Sequence, residues 1–326
     1  MKAVVCTAYG PAEVLKLQEI EKPSPKADEI LIKIECANVN SSDIELRSGD
    51  WNWLFWLPAR IMYGMFKPRR LIPGYEFAGT VADVGSKVDK FKLGDSVFGA
   101  ATWRGGCSAE YICLQQDAAI AIKPDSMPME EAAAFCDSGN TARYFLTKSG
   151  IQAGQSVLIY GASGSVGTMA IQIAKYYGAI VTGVCSGANR SMVLSLGADD
   201  VIDYTKESLV DYANQYDIVF DTLGKLDLTL ALVLLQQQGV FATTRIKPSF
   251  RWRTRRENKQ HGTNKKIVGG ITTAKGEGLQ FLIDLYGQGK LKSVIDRCYP
   301  FAQLANAHRY VETGRKKGNV VLKVME

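Results

Sequence analysis

Apolar positions change their spacing twice along the chain. Over residues 1 to about 122 they fall into short alternating or continuous runs: KAVVCT, EILIKIECANV, FAGTVADVG, GDSVFGA, CSAEYICL and AAIAIKP. Gly, Pro and Asp break these runs, which predicts strands joined by turns such as Lys92-Leu93-Gly94-Asp95. The texture is that of a small, irregular barrel-like domain. Near Pro124 the spacing becomes helical, through MPMEEAAAFCDSGNTARYFLTKSG. Strand-like and helix-like stretches then alternate: SVLIYG, TMAIQIAKYYG, IVTGVC, NRSMVLSLG, DVIDY, a helix near ESLVDYANQ, YDIVFDTL, a helix over LDLTLALVLLQQQG, GVFATT and KKIVGG. Strands that are apolar throughout suit a sheet covered on both faces, and the alternation predicts a doubly wound parallel sheet. The last part returns to mixed content. EGLQFLIDLYGQGKL and QLANAHRYVETG read as helices, YPF as a turn into a strand, and GNVVLKV as a final strand placed to rejoin the first domain.

One turn in this pattern carries chemistry. VLIYGASGSVGTMAIQIAK sets Gly161, Gly164 and Gly167 between an apolar strand and an amphipathic helix, with a second strand soon after. That is the strand–turn–helix–strand unit of a dinucleotide fingerprint, in the GxxGxxG form. Gly161 permits the tight turn, Gly164 lets a pyrophosphate approach the backbone, and Gly167 lets the helix pack on the strand. Ser163, Ser165 and Val166 complete the turn and the helix start, whose bare amides would hold the diphosphate. After the second strand comes Cys185-Ser186, then GANR, where an NAD-selecting protein carries an acid for the ribose hydroxyls. Ser186 can donate to a phosphate and Arg190 can pair with one. Asp199, Asp200 and Asp203 fall too late in the chain for the ribose role. The expected cofactor is therefore NADPH (NADP+). A solvated Arg190 is the alternative for that residue.

Composition adds exclusions. The formal charge of +6 is too mild to announce nucleic-acid binding. Seven dispersed cysteines, without CxxC, and two histidines, without HExxH, give no metal spacing and suggest reduced thiols. The first residues lack the apolar core of a signal peptide, and no run is long enough for a membrane span. The expected compartment is the cytoplasm.

The motifs MKAVV, YGPAEVLKL, VNSSDIELRSG, PGYEFAGTVADVGSKVDKFKLGDSVFG, GGCSAEY, GASGSVGTMAIQIAK and SLGADDVIDY resemble the medium-chain dehydrogenase/reductase superfamily, in its zinc-independent quinone oxidoreductase branch. The likeness covers nearly the whole chain. It implies an α/β protein with a GroES-like β-barrel domain over residues 1–122 and 271–326 and a Rossmann domain, a doubly wound parallel sheet, over 123–270. It also implies a homodimer. Zinc-using relatives have a Cys where Asn40 stands and a His where Tyr75 stands, and Cys136 and Asp137 lie near the third ligand place. The four-cysteine lobe is missing. No metal is therefore expected.

Without a Lewis acid to stabilise an alkoxide, the expected task is hydride delivery to an already polarised acceptor, a quinone or an α,β-unsaturated carbonyl. By resemblance, Asn40 lies near nicotinamide and substrate, where its amide would hold the developing oxyanion. An Asn that only caps a turn is the alternative. Tyr75 is a candidate proton donor or oxyanion partner, with plain packing as its alternative. Thr141 matches a threonine near the nicotinamide half, and Tyr204 and Arg315 match positions approaching the 2′-phosphate. Glu45 departs from the branch, several members of which have Tyr there.

Two segments stand outside this scheme. WNWLFWLPARIMYGMF, Trp51 to Phe66, suits an aromatic lid over the substrate, packing against the barrel or a partner subunit, or contact with a membrane surface. RIKPSFRWRTRRENKQHGTNKK, 245–266, holds nine Lys or Arg and one Glu. It reads as a solvated loop, with a phosphate-bearing substrate, an anionic membrane or RNA as alternatives. The competing function is a nucleotide-binding protein with little catalysis, acting through RNA, membrane or protein contacts.

Overall fold

The computed structural model describes residues 1–325 except 52, 70, 71, 102–104, 271 and 273–275, and of 53–55, 276 and 277 the backbone alone. The chain begins with β1 (Lys2–Cys6), β2 (Leu15–Glu19), β3 (Glu29–Val39), α1 (Ser41–Ser48), α2 (Trp53–Tyr63), β4 (Glu76–Val84), β5 (Ser96–Ala100), β6 (Tyr111–Gln115), β7 (Ala119–Ile122) and α3 (Met129–Ala133). Next come α4 (Cys136–Lys148), β8 (Ser156–Tyr160), α5 (Ser165–Tyr176), β9 (Ile180–Cys185), α6 (Arg190–Ser195), β10 (Asp200–Asp203), β11 (Tyr216–Asp221), α7 (Leu228–Leu234), β12 (Leu235–Thr243), α8 (Ser249–His261) and β13 (Lys266–Gly269). The chain closes with α9 (Gly276–Gly287), β14 (Ile295–Pro300), α10 (Leu304–Glu312) and β15 (Asn319–Lys323).

Two compact units result, one of Met1–Asp137, Ala274–Ile283 and Ser293–Glu326, the other of Ser138–Thr273 and Asp284–Lys292. In the first, the sheet order is β14-β15-β3-β4-β5-β7, with β6 also on β3 and a separate β1–β2 hairpin. β15 pairs antiparallel with β3, Val320 opposite Val39, so the last strand closes onto the N-terminal domain. The alternation of β3 puts Ile30, Ile32 and Ile34 fully inside, where they join Phe77, Val81, Val97 and Leu304 of α10 in one apolar core.

The second unit is a six-stranded sheet in the order β10-β9-β8-β11-β12-β13, parallel throughout. Val157–Ile159 of β8 and Ile218–Phe220 of β11 are buried, as strands covered on both faces require. The strand order reverses between β8 and β11. The fold is the α/β Rossmann sheet plus GroES-like domain that the residue pattern and the resemblance predict.

Several elements differ from expectation. Residues 123–137 pack with the first unit, where the Phe135 ring lies edge-on to Phe98 at 6.0 Å. ESLVDYANQ forms only a short 3-10 turn at Leu209–Tyr212. There the Glu207 carboxylate is engaged by the Asp203 amide and the Tyr212 hydroxyl. The LDLTLALVLLQQQG helix stops at Leu234, because Leu235 already pairs with Tyr216 in the sheet. YPF ends a strand rather than starting one, since β14 is paired with β15 through Pro300. The basic segment contains a thirteen-residue helix, α8, in place of a loop. Buried Phe250 anchors it 6.2 Å from Phe241, and Gly262, with φ of +64°, ends it.

Candidate active site

The glycine turn lies at the carboxyl end of β8, beside the point where strand order reverses, the place where open α/β sheets take their ligands. Gly161 has φ of +83°, and a Cβ there would stand 2.6 Å from Leu223 Cγ. Its amide and that of Ala162 both donate to the Val184 carbonyl, at 3.2 and 3.1 Å, which fixes the turn to the neighbouring strand. A Cβ on Gly167 would lie 2.2 Å from the Gly161 carbonyl oxygen, so helix and turn touch backbone to backbone. Gly164 differs: its φ is −83°, and a Cβ would meet only the Gly161 oxygen, at 3.5 Å. The turn is open on that side. The first helical hydrogen bond is Thr168 N to Gly164 O at 2.9 Å, so the amides of Val166 and Gly167 precede the helical ladder and face its start. No acidic side chain occurs between 161 and 167. An open, positively polarised helix start of this kind fits a diphosphate.

The same edge carries Ser186 after β9 and Tyr204 after β10. Parallel pairing puts Asp203 opposite Cys185, which the distance along the chain concealed. The Asp203 carboxylate therefore reaches the loop after β9. Thr205 donates to it from its hydroxyl (2.7 Å) and its amide (3.1 Å), and the Gly187 amide donates as well. These bonds, the Thr205 hydroxyl first, hold it below the usual carboxylate range. A Cβ on Gly187 would come within 2.4 Å of its oxygen. Asp203 is thus spent on bracing the loop. Tyr204 is half exposed. Arg190 is tied down: its guanidinium donates to the Val201 carbonyl and reaches the Asp200 carboxylate at 3.4 Å. Thr141, on α4 of the same unit, shares a 3.1 Å hydrogen bond with Thr272. Arg315 belongs to the first unit, exposed in the turn between α10 and β15.

A second polar group lies inside the first unit. Asn40 caps α1: its Oδ1 accepts Ser42 N at 2.9 Å and Asp43 N at 3.2 Å, while its backbone N–H donates to Asp43 Oδ2 at 2.9 Å. This fixes which end of the amide is oxygen, and it leaves Asn40 Nδ2 buried with no hydrogen-bond partner among the described residues. Asp43 Oδ1 accepts Gly74 N at 2.8 Å, and burial raises this carboxyl to about 7. Next along the chain, Tyr75 is hydrogen-bonded to Tyr63 of α2. Burial, with Tyr63 and Asp43 adding, holds Tyr75 far above the ordinary phenol range, so it stays neutral. Glu76 accepts Asn38 Nδ2 at 2.6 Å and Asp137 N at 2.7 Å, and burial and the Asp137 charge push it up.

Residues 26–151 match the family model described as alcohol dehydrogenase GroES-like domain, and residues 196–322 the one described as zinc-binding dehydrogenase. A 2-methylene-furan-3-one reductase of Solanum lycopersicum is 34% identical, over 99% of this chain and 79% of its own. An NADPH-dependent alkenal/one oxidoreductase, chloroplastic, of Arabidopsis thaliana is 32% identical over the same shares. The solved quinone oxidoreductase of Coxiella burnetii superposes with a TM-score of 0.89 at 29% identity, covering 100% of this chain and 99% of that one. The chain belongs to the medium-chain dehydrogenase/reductase superfamily. Within it the relatives lie in the quinone oxidoreductase branch.

The zinc in the second family description finds no ligand set here. Among the described residues no three His, Cys, Asp or Glu side chains gather as metal ligands. At the superfamily's ligand places, Asn40 Oδ1 is used by the helix cap and the Tyr75 phenol is held neutral. The sequence pattern passed over Tyr63 and Glu76 and set Asp203 aside as too late in the chain. An acid at the end of a strand and a tyrosine before a glycine are common, and only pairing and burial mark these out.

Proposed function

We propose that the protein is an NADPH-dependent oxidoreductase that passes hydride to a quinone or an α,β-unsaturated carbonyl. Bound NADPH supplies the hydride. The open turn at Gly164 and the amides of Ser165, Val166 and Gly167 hold the diphosphate, with Gly161 and Ser163 shaping the approach. Ser186, Tyr204 and Arg315 take the 2′-phosphate side, Arg190 joins them by leaving its surface contacts with Val201 and Asp200, and Thr141 serves the nicotinamide half. The observation that carries the catalytic assignment is the buried Nδ2 of Asn40, which has no partner among the described residues. A donor left unsatisfied inside a protein costs free energy unless a ligand takes it up, and the oxygen of a reduced acceptor is such a ligand. Tyr75 keeps its proton and, with Tyr63, supplies a fixed neutral hydrogen-bonding wall rather than an acid.

The test is NADPH oxidation with a panel of quinones and enones. Asn40→Asp retains an oxygen for the two α1 amides and removes the donor once its carboxyl ionises, which burial beside Asp43 shifts to higher pH. Above that ionisation its kcat/KM is expected to fall about 100-fold, with a lower melting temperature because a charge is then buried. An unchanged rate removes Asn40 from the chemistry, and tight NADPH binding with no acceptor turned over overturns the reaction itself.

Three further points belong to this proposal. Among the described residues β13 pairs on one side only, with β12, and an edge strand of this kind supports a homodimer because it invites a second copy. Cysteine thiols that form no disulfide among the described residues support a reducing compartment, the cytoplasm. No helix of the described residues is long and apolar enough to cross a membrane. The exposed Leu57, Ile61 and Phe66 support contact of the Trp51–Phe66 segment with substrate or a lipid surface. Within that segment Trp51 packs, stacked 5.9 Å from Tyr63, while the side chains of 52–55 lie outside the described residues.

A further inference from the structure

Segment 245–266, with nine Lys or Arg and one Glu, carries a net +8 in a chain whose total is +6, so the remainder is slightly acidic. α8 sorts much of that charge. Its inner face buries Phe250 and Thr254. Arg253 turns aside to donate to Thr229 Oγ1 at 3.0 Å, and Glu257 faces His261 at 3.5 Å. On the opposite face Trp252, Arg255, Arg256 and Lys259 follow one another at i, i+3, i+4 and i+7, and all four are exposed. Among the described residues Arg255, Arg256 and Lys259 have no ion pair.

Solvation alone explains exposed arginines. It does not explain an indole that is 56% exposed in the middle of them. Tryptophan has an apolar body and one N–H, the combination that settles at a bilayer interface, and cations beside it meet headgroup phosphates. A helix already pinned flat by Phe250 presents that stripe along a plane without paying to fold. We propose that the outer face of α8 docks on an anionic phospholipid bilayer, with Arg255, Arg256 and Lys259 on the phosphates and Trp252 in the interface. Single-stranded nucleic acid is the other polyanion to consider, but it is held by grooves with successive stacking rings, and this face is a convex helix with one ring. The inference rests on this surface alone and is independent of the reaction proposed above.

Co-sedimentation of the full chain with vesicles of phosphatidylcholine, with and without phosphatidylglycerol, tests it. Binding is expected to the anionic vesicles only, and to be lost in high salt. The triple change Arg255→Gln, Arg256→Gln and Lys259→Gln is expected to lower partitioning about 100-fold, at about fivefold per cation. Each single change gives about fivefold, which preserves the test if the triple variant folds poorly. Trp252→Ala weakens binding while leaving its salt dependence. Equal binding to neutral vesicles, wild-type partitioning of the triple variant, or displacement from vesicles by a single-stranded RNA oligonucleotide would each overturn the proposal.

Discussion

At Asn40 the oxygen of the side-chain amide accepts two helix-start N–H groups, and the nitrogen is buried without a partner among the described residues. The sequence offers a cap and a catalytic donor as alternatives for this residue. The geometry makes them compatible, because a primary amide has two ends and α1 uses only one. His308 on α10 gives the residue scale its pH dependence. Burial, with the Arg47 charge adding, lowers it from 6.5 to about 3, so it folds neutral. A folded value below the unfolded one means that this contribution is complete above pH 6.5 and is lost as pH falls from there towards 3. The loss between pH 7 and 5 is about 2 kcal/mol. Glu76 and Asp43, raised by burial, act in the opposite sense, favouring the fold at low pH and less so as pH rises towards neutrality. Urea unfolding of wild type and His308→Gln at several pH values cancels that second contribution. The gap between the two proteins is expected to shrink on acidification, and a gap independent of pH would remove His308 from the account.

At the scale of elements, the three glycines of the β8–α5 turn separate fold from ligand. Gly164 has ordinary φ and free space, so Gly164→Ala is expected to leave the melting temperature almost unchanged and weaken NADPH binding at least tenfold (about 1.4 kcal/mol or more). At Gly167 a methyl group collides with the Gly161 carbonyl, so Gly167→Ala is expected to lower the melting temperature by several degrees before any ligand is added. Thermal unfolding with and without NADPH checks both, and equal behaviour of the two variants would undo the assignment. The spacing of the glycines was legible in the sequence. Which one faces open space was not, because that depends on Thr222 and Leu223 arriving from β11. α8 teaches a similar lesson. Its charge suggests a loop, and only the seat for Phe250 against β12 makes a helix the stable choice.

At the scale of the molecule, the choice of nucleotide rests on where charges end up. No acid stands in the loop 186–190, and the nearby Asp203 carboxylate is consumed by Thr205 and Gly187. NADPH at a hundredfold excess over its Kd is expected to stabilise the folded chain by about 2.7 kcal/mol, with a smaller effect from NADH at the same concentration. Equal stabilisation by both, followed by urea unfolding, would remove the preference. The residue pattern by itself determined the two domain textures, the parallel sheet, the glycine turn and the superfamily, because strand alternation, turn chemistry and helix starts are local properties of a chain. Tertiary structure alone decided that Asp203 meets Gly187, that Tyr75 meets Tyr63, that Arg190 is engaged by β10, and that Asn40 keeps one donor to spare. Each of those outcomes depends on groups far apart in sequence being desolvated together, and no local pattern encodes who the neighbour will be.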